Sequence, residues 1–126
     1  VRHTWEVDDV KRQLATLARD EQRPIGKKPL LALERLLERV VTIVETHSDL
    51  SDLPRPRADL NYEATIDFLW IDRSRERLLA LTVLEADADE ESASIWMRRT
   101  EGRGGRSVYD PTDIELLDQL RWFLHD

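Results

Sequence analysis

The residues best suited to binding chemistry lie in one short acidic segment. Between positions 85 and 91 the chain carries carboxylates and no basic residue: Glu85, Asp87, Asp89, Glu90 and Glu91. Calcium takes roughly six to eight oxygen ligands, so alternate acids such as Asp87, Asp89 and Glu91 could supply part of a coordination shell. The EF-hand spacing is absent, because no glycine stands at the sharp turn of the loop. A patch that attracts a basic partner protein and a solvated turn that aids solubility are the other interpretations.

A second group of charged residues could bind anions or an acidic partner. These are arginines in two predicted turns and the strands beside them: Arg73, Arg75, Arg77, Arg98, Arg99, Arg103 and Arg106. Arginine pairs with carboxylate and phosphate through two parallel hydrogen bonds. The neighbouring Trp96 and Tyr109 could offer stacking faces to single-stranded nucleic acid. The sequence leaves open a protein contact, a nucleic-acid contact and a solvated basic edge.

Catalytic motifs are absent from the sequence. His3, His47 and His125 lie in a chain end or after predicted helices, and no metalloprotease, nucleophile-elbow or phosphate-loop motif is present. The glycines of 102–105 do not form a dinucleotide fingerprint, because they join two predicted strands. With no cysteine, thiolate chemistry and disulfides are excluded. We therefore expect no enzyme and no cofactor.

The composition limits the class of partner. A net charge of −7 in 126 residues argues against broad binding to nucleic acid, which needs a basic surface. The longest apolar stretch is far shorter than the roughly 20 residues that a membrane helix needs. No basic segment leads into an apolar signal sequence. The sequence predicts a cytoplasmic protein that does not enter a membrane.

The spacing of apolar residues predicts the elements that position these charged groups. Helical periodicity covers about 6–21 and about 30–46, and a third helix begins with Asp110 as its cap and Pro111 in its first turn. Apolar runs between the second and third helices predict strands at 62–72, 78–86, 92–99 and 106–109. The sequence therefore predicts a single α+β domain over 1–126. Its parts are a helical half at 1–47, a linker at 48–60, and the sheet plus C-terminal helix at 61–126.

The predicted sheet is an antiparallel meander of three to four strands, with the helices packed on one face. Alternate turns of a meander lie at opposite ends, so we expect the acidic segment at one end of the sheet and the arginine-bearing turns at the other. The second helix is apolar around much of its circumference, which predicts burial by the first helix or a homodimer contact through the helical half. Candidate dimer contacts are Trp5, Leu31, Leu33 and Ile43.

These features predict a non-enzymatic protein-interaction domain, such as an inhibitor, an immunity-type protein or an adaptor, that binds through charge-complementary surface. The candidate partner-binding residues come from both charged groups: Asp87, Asp89, Glu90, Glu91, Arg73, Arg75, Arg77, Arg103 and Arg106. One alternative is a small calcium-binding protein that uses Asp87, Asp89 and Glu91. The other is a nucleic-acid binder that uses the arginine-rich end of the sheet.

Overall fold

Three α-helices and five β-strands make up the part of the chain that the structure, a computed structural model, describes: residues 5–61, 65–84 and 95–125. The helices are α1 (Val7–Asp20), α2 (Lys27–Thr46) and α3 (Asp113–Leu124). The strands are β1 (Arg57–Asn61), β2 (Thr65–Asp72), β3 (Arg77–Leu84), β4 (Ile95–Glu101) and β5 (Gly104–Tyr109). A short 3-10 helix at Ser48–Leu50 follows α2. The predicted α+β class is confirmed.

The strands form one antiparallel sheet in chain order, which confirms the meander. The sheet has one strand more than the predicted upper limit, because β1 lies in the segment that the sequence assigned to the linker. Only Ala58 and Leu60 of β1 are buried on the core side, and Pro54 and Pro56 precede it. So short an apolar alternation after two prolines resembles an extended linker. Its pairing with β2 makes it a strand.

The core lies between one face of the sheet and the three helices. α1 packs against β1, and α2 and α3 pack against β3. Trp5, Leu33 and Ile43, three of the four candidate dimer contacts, are buried in this core, whereas Leu31 is 47% exposed. Those three side chains are therefore not available for a contact between two copies. In the described part of the chain, no helix combines the length and apolarity needed to cross a bilayer.

The start of α3 differs from the predicted one. Thr112, not Asp110, is the N-cap: its Oγ1 accepts the Glu115 N–H at 3.2 Å, and its own N–H donates to Glu115 Oε1 at 3.0 Å. Asp110 instead has a positive φ of 48° and donates its N–H to the Ile95 carbonyl at 2.9 Å. The reciprocal Thr–Glu pair satisfies two helix-end donors at once, which a lone aspartate does not.

The turns of the meander lie at two opposite ends of the sheet. The β2–β3 turn and the β4–β5 turn are neighbours, because the Gly102 N–H donates to the Glu76 carbonyl at 3.0 Å. Both arginine-bearing turns therefore lie at one end of the sheet. Leu84 and Ile95, which flank the acidic segment, lie at the opposite end. The acidic segment 85–91 itself lies outside the described residues.

Candidate functional site

The arginines of the β2–β3 hairpin hold the end of α3. Arg77 is 8% exposed; its Nη1 donates to the Trp122 carbonyl at 2.7 Å, and its guanidinium carbon lies 4.9 Å from the Trp122 ring centroid. Arg75 donates from Nη2 to the Phe123 carbonyl. Carbonyls in the last turn of a helix lack intrahelical partners, and cations are favourable there. Two candidate partner-binding residues thus have a structural role, while Arg73 in the same turn is exposed.

Asp72 orders this hairpin. Its Oδ2 accepts the Arg75 Nε at 2.7 Å, and its Oδ1 accepts the Ser74 hydroxyl at 2.8 Å and the Arg75 backbone N–H at 3.2 Å. These bonds, above all that from the Arg75 side chain, lower the pKa of Asp72 to about 2. The carboxylate is therefore ionised at neutral pH and holds Arg75 in the position from which it reaches α3.

The arginines of the β4–β5 hairpin are placed differently. Arg103 and Arg106 are exposed, and within the described ranges neither makes a hydrogen bond or an ion pair. Arg99 lies on the helix side of the sheet, with its guanidinium carbon 5.2 Å from the Trp122 ring centroid. Residues 95–109 contain four arginines and one glutamate, a local charge of +3 in a chain of net charge −7. This hairpin is a basic region in an acidic protein.

The side of the sheet that points away from the helices has no described element packed on it. We call this surface the open face. The strand register places its side chains in rows across the sheet. One row is Asp59, Asp67, Thr82, Trp96 and Tyr109. The next row is Arg57, Leu69, Ala80, Arg98 and Ser107.

An aromatic pair stands at one side of the open face. The ring centroids of Trp96 and Tyr109 are 6.1 Å apart, with an angle of 48° between the ring planes. Tyr109 is 73% exposed, and Trp96 is partly exposed. The other tryptophans, Trp5, Trp70 and Trp122, are all buried. Trp96 is therefore the tryptophan that the core does not accommodate, and its neighbour is the more exposed of the two rings.

A groove of about 430 Å³ lies along the open face beside this pair. Leu69, Leu78 and Ala80 give it an aliphatic floor. Asp67 lines it on the β2 side, where its Oδ1 accepts the Thr82 hydroxyl at 2.7 Å, and Arg98 lines it on the β4 side. The open face thus has an apolar centre with charges of both signs around it.

One row of the open face contains an unfavourable pair. Asp59 and Asp67 lie directly opposite each other on β1 and β2, so their side chains share the face. Like charges in directly opposite positions destabilise a sheet. The two carboxylates place negative charge on the β1 and β2 side of the open face.

Another groove, of about 560 Å³, lies between α1 and the start of α2. Its walls are mainly aliphatic, with Leu14, Ala18 and Leu30, and none of its lining residues belongs to the sheet. It adjoins none of the candidate charged residues. The described ranges also contain no group of three or more carboxylate, histidine or cysteine side chains placed to hold a metal ion. The candidate ligands Asp87, Asp89 and Glu91, like Glu90, lie outside those ranges.

The fold and the site together define a class: an α+β domain with a five-stranded meander, one covered face and one open, mixed-charge face. No family model, no curated protein sequence and no solved structure matches this chain. The open face and the β4–β5 hairpin are therefore the candidate functional surfaces of the described chain.

Proposed function

We propose that this chain is a non-enzymatic protein-interaction domain that binds a partner protein through the open face. The observation that carries the proposal is the Trp96–Tyr109 pair beside an aliphatic floor, on a sheet face that no described element covers. When one face of an antiparallel sheet meets water, the side chains on that face are normally polar. Tyrosine and tryptophan are enriched at protein interfaces and at their energetic centres. The open face has the composition of a contact surface.

The charges of the open face favour a protein partner over a nucleic acid. Asp59 and Asp67 lie in the same row as the aromatic pair, where carboxylates would repel phosphates. Arg98 adds a positive charge to the open face. An apolar centre with a polar rim is the usual anatomy of a protein interface. The calcium alternative stays a prediction, since its candidate ligands lie outside the described residues.

The proposed role is that of an inhibitor, an immunity-type protein or an adaptor, which acts by occupying a surface of its partner. Arg103 and Arg106 extend the binding surface toward the basic end of the sheet. Their charge would steer the approach of an acidic partner, because opposite potentials raise the rate of encounter. In this proposal the arginine-rich end thus contributes through the β4–β5 hairpin and not through Arg75 or Arg77.

Matched variants test the proposal. Tyr109→Ser removes an aromatic ring from the open face, and Ile114→Ser removes a side chain of nearly equal exposure, 72% against 73%, from α3 on the other side of the molecule. Tagged wild type and Ile114→Ser are expected to retain the same protein from an extract of the source organism, as identified by mass spectrometry. Tyr109→Ser is expected to lose it.

Equal retention of that protein by Tyr109→Ser would contradict the proposal, as would failure of the wild type to retain any. Retention of an oligonucleotide that nuclease treatment removes would favour the nucleic-acid alternative instead.

A further inference from the structure

The two edges of the sheet differ in what covers them. At the β1 edge, the Ala58 N–H points away from β2 and donates to Gln13 Oε1 of α1 at 3.0 Å. α1 packs beside this strand. In the described chain, no helix or strand covers the outer edge of β5 as α1 covers that of β1. An uncovered edge presents main-chain donors and acceptors to any strand that can approach it.

Alternate residues of β5 direct their main-chain groups away from β4. The Asp110 N–H donates to the Ile95 carbonyl, which makes these two residues a hydrogen-bonded pair. Such pairs recur at every second position of an antiparallel ladder. The residues of β5 that bond β4 are therefore Gly104, Arg106 and Val108. The residues whose N–H and C=O point to the free edge are Gly105, Ser107 and Tyr109.

The β5 edge is sterically accessible. Gly105 and Ser107 are small and exposed, and β5 contains no proline. Natural edge strands often avoid unwanted pairing with a charged side chain, and Arg106 is such a residue. An arginine repels a basic strand or a second copy of the same edge, but it attracts an acidic strand. An added strand therefore meets no steric obstacle at this edge, and the charge of Arg106 favours an acidic one.

Two adjoining pockets lie on the helix side of this edge, with volumes of about 190 and 150 Å³, and both are lined by Arg99 and Arg106. Trp122 lines the first pocket. Gln119 of α3 lines the second, and its Oε1 is buried without a hydrogen bond from any described residue. Glu101 also lines the first pocket, and its Oε1 lies 3.6 Å from Arg77 Nη2. The two pockets thus offer the guanidinium groups of Arg99 and Arg106 to a ligand.

We infer that the β5 edge binds an extended acidic segment of a partner protein, which adds to the sheet as a sixth strand. This inference rests on the proposed function and gives its mode of recognition. The added main chain would pair with the outward groups of Gly105, Ser107 and Tyr109, as in other cases of strand addition. Its side chains on the helix side are acidic and meet Arg99 and Arg106. Its side chains on the open face are apolar and contact Tyr109.

Charge complementarity identifies the occupant. The β4–β5 hairpin has a local charge of +3, and in the described structure its exposed Arg103 and Arg106 have no acidic partner. Carboxylates that point into the pockets can pair with arginine through two hydrogen bonds. The preferred segment therefore alternates acidic and apolar residues.

A synthetic peptide tests the inference directly. The probe is a short labelled peptide in which glutamate alternates with valine, and its binding to the whole chain is measured by fluorescence anisotropy. We expect saturable binding, and we expect a peptide with lysine in place of glutamate to bind at least about tenfold more weakly, because like charges then meet at Arg99 and Arg106. Equal binding of the two peptides would overturn the charge argument.

N-methylated peptides test the main-chain pairing with the wild-type protein. Methylation of every second amide removes the donors on one side of the strand only. Methylation of the valine amides blocks an antiparallel added strand, and methylation of the glutamate amides blocks a parallel one. We expect one of these two peptides to lose binding and the other to keep it. Equal binding by both would exclude strand addition.

Variants of the protein complete the test. Ser107→Pro removes an outward N–H and no bond of the β4–β5 ladder, and Arg106→Glu reverses the charge. Each is expected to weaken binding of the glutamate–valine peptide by about tenfold or more. Arg35→Glu changes an exposed arginine on α2 and is expected to leave binding unchanged. Unchanged binding by a correctly folded Arg106→Glu would overturn the inference.

The two proposals fail separately. Loss of the natural partner by Tyr109→Ser, together with no binding of the glutamate–valine peptide by the wild type, would refute the edge site and leave the open face as the interface. Peptide binding that Arg106→Glu abolishes, with retention of the natural partner by Tyr109→Ser, would refute the open-face proposal and leave the edge site.

Discussion

The β2–β3 and β4–β5 hairpins carry similar arginine-rich sequences and use them differently. Arg75 and Arg77 donate to carbonyls in the last turn of α3, whereas Arg103 and Arg106 have no acceptor among the described residues. The reason is the course of α3, which packs against β3 and so brings its last carbonyls to the β2–β3 hairpin. An arginine becomes structural where unpaired carbonyls lie within its reach, and stays available to a partner where they do not.

The largest expected effect is on Arg77. Arg77→Met keeps much of the buried aliphatic stem but removes the donor to the Trp122 carbonyl and the charge over the Trp122 ring. Hydrogen bonds from charged groups contribute more than neutral ones, so the free energy of unfolding is expected to fall by about 2–3 kcal/mol. Urea denaturation followed by tryptophan fluorescence measures it.

The matched control for this substitution is Arg73→Met in the same hairpin. Arg73 is exposed, and its replacement is expected to change the free energy of unfolding by less than about 0.5 kcal/mol. Equal losses for the two variants would mean that the contacts of Arg77 with α3 contribute nothing specific, and the comparison between the hairpins would lose its basis.

Lowering the pH is expected to have a smaller effect on stability, through Asp72 of the β2–β3 hairpin. Asp72 has a folded-state pKa of about 2 against an ordinary value of 3.8. A carboxyl with a lowered pKa stabilises the folded state fully above its ordinary pKa, and this contribution is lost as pH falls through the folded value. The contribution of the Asp72 carboxylate to the free energy of unfolding should therefore decline between about pH 4 and pH 2. The Asp72 carboxyl resonance, followed by NMR, should titrate near the lower of these values.

Two variants test whether the lowered pKa of Asp72 depends on Arg75. Arg75→Ala removes the strongest hydrogen bond to Asp72, so the titration midpoint should rise toward 3.8. Arg98→Ala, on the open face, should leave the midpoint where it is in the wild type. If Arg75→Ala left the titration midpoint of Asp72 unchanged, other hydrogen-bond donors would have to be responsible for the lowered pKa.

The smallest effect on folding is expected at Arg106. Because it has no acceptor in the described structure, Arg106→Ala should change the free energy of unfolding by less than about 0.5 kcal/mol in the same urea titration. A loss as large as that of Arg77→Met would contradict the contrast between the hairpins. It would also assign Arg106 to the fold and remove it from the proposed edge site.

Local periodicity was sufficient for most of the secondary structure. Ile66, Phe68 and Trp70 alternate with less buried residues along β2, and the apolar positions of α2 recur at helical spacing. Such repeats follow from the geometry of one chain segment and need no knowledge of its neighbours. The exception is β1, whose two core residues form too short a pattern. Its status as a strand depends on hydrogen bonds to β2, which no local pattern encodes.

Residue spacing along the chain was enough to predict the α+β class, the antiparallel meander and the grouping of arginines at one end of the sheet. The contacts of the charged and aromatic residues depend instead on packing between elements that are distant in the chain. Arg77 and the Trp122 carbonyl are 45 positions apart in the chain, and Trp96 and Tyr109 meet across a strand pair. Whether a guanidinium bonds a helix end or faces a groove depends on such long-range distances, which residue type and spacing do not specify.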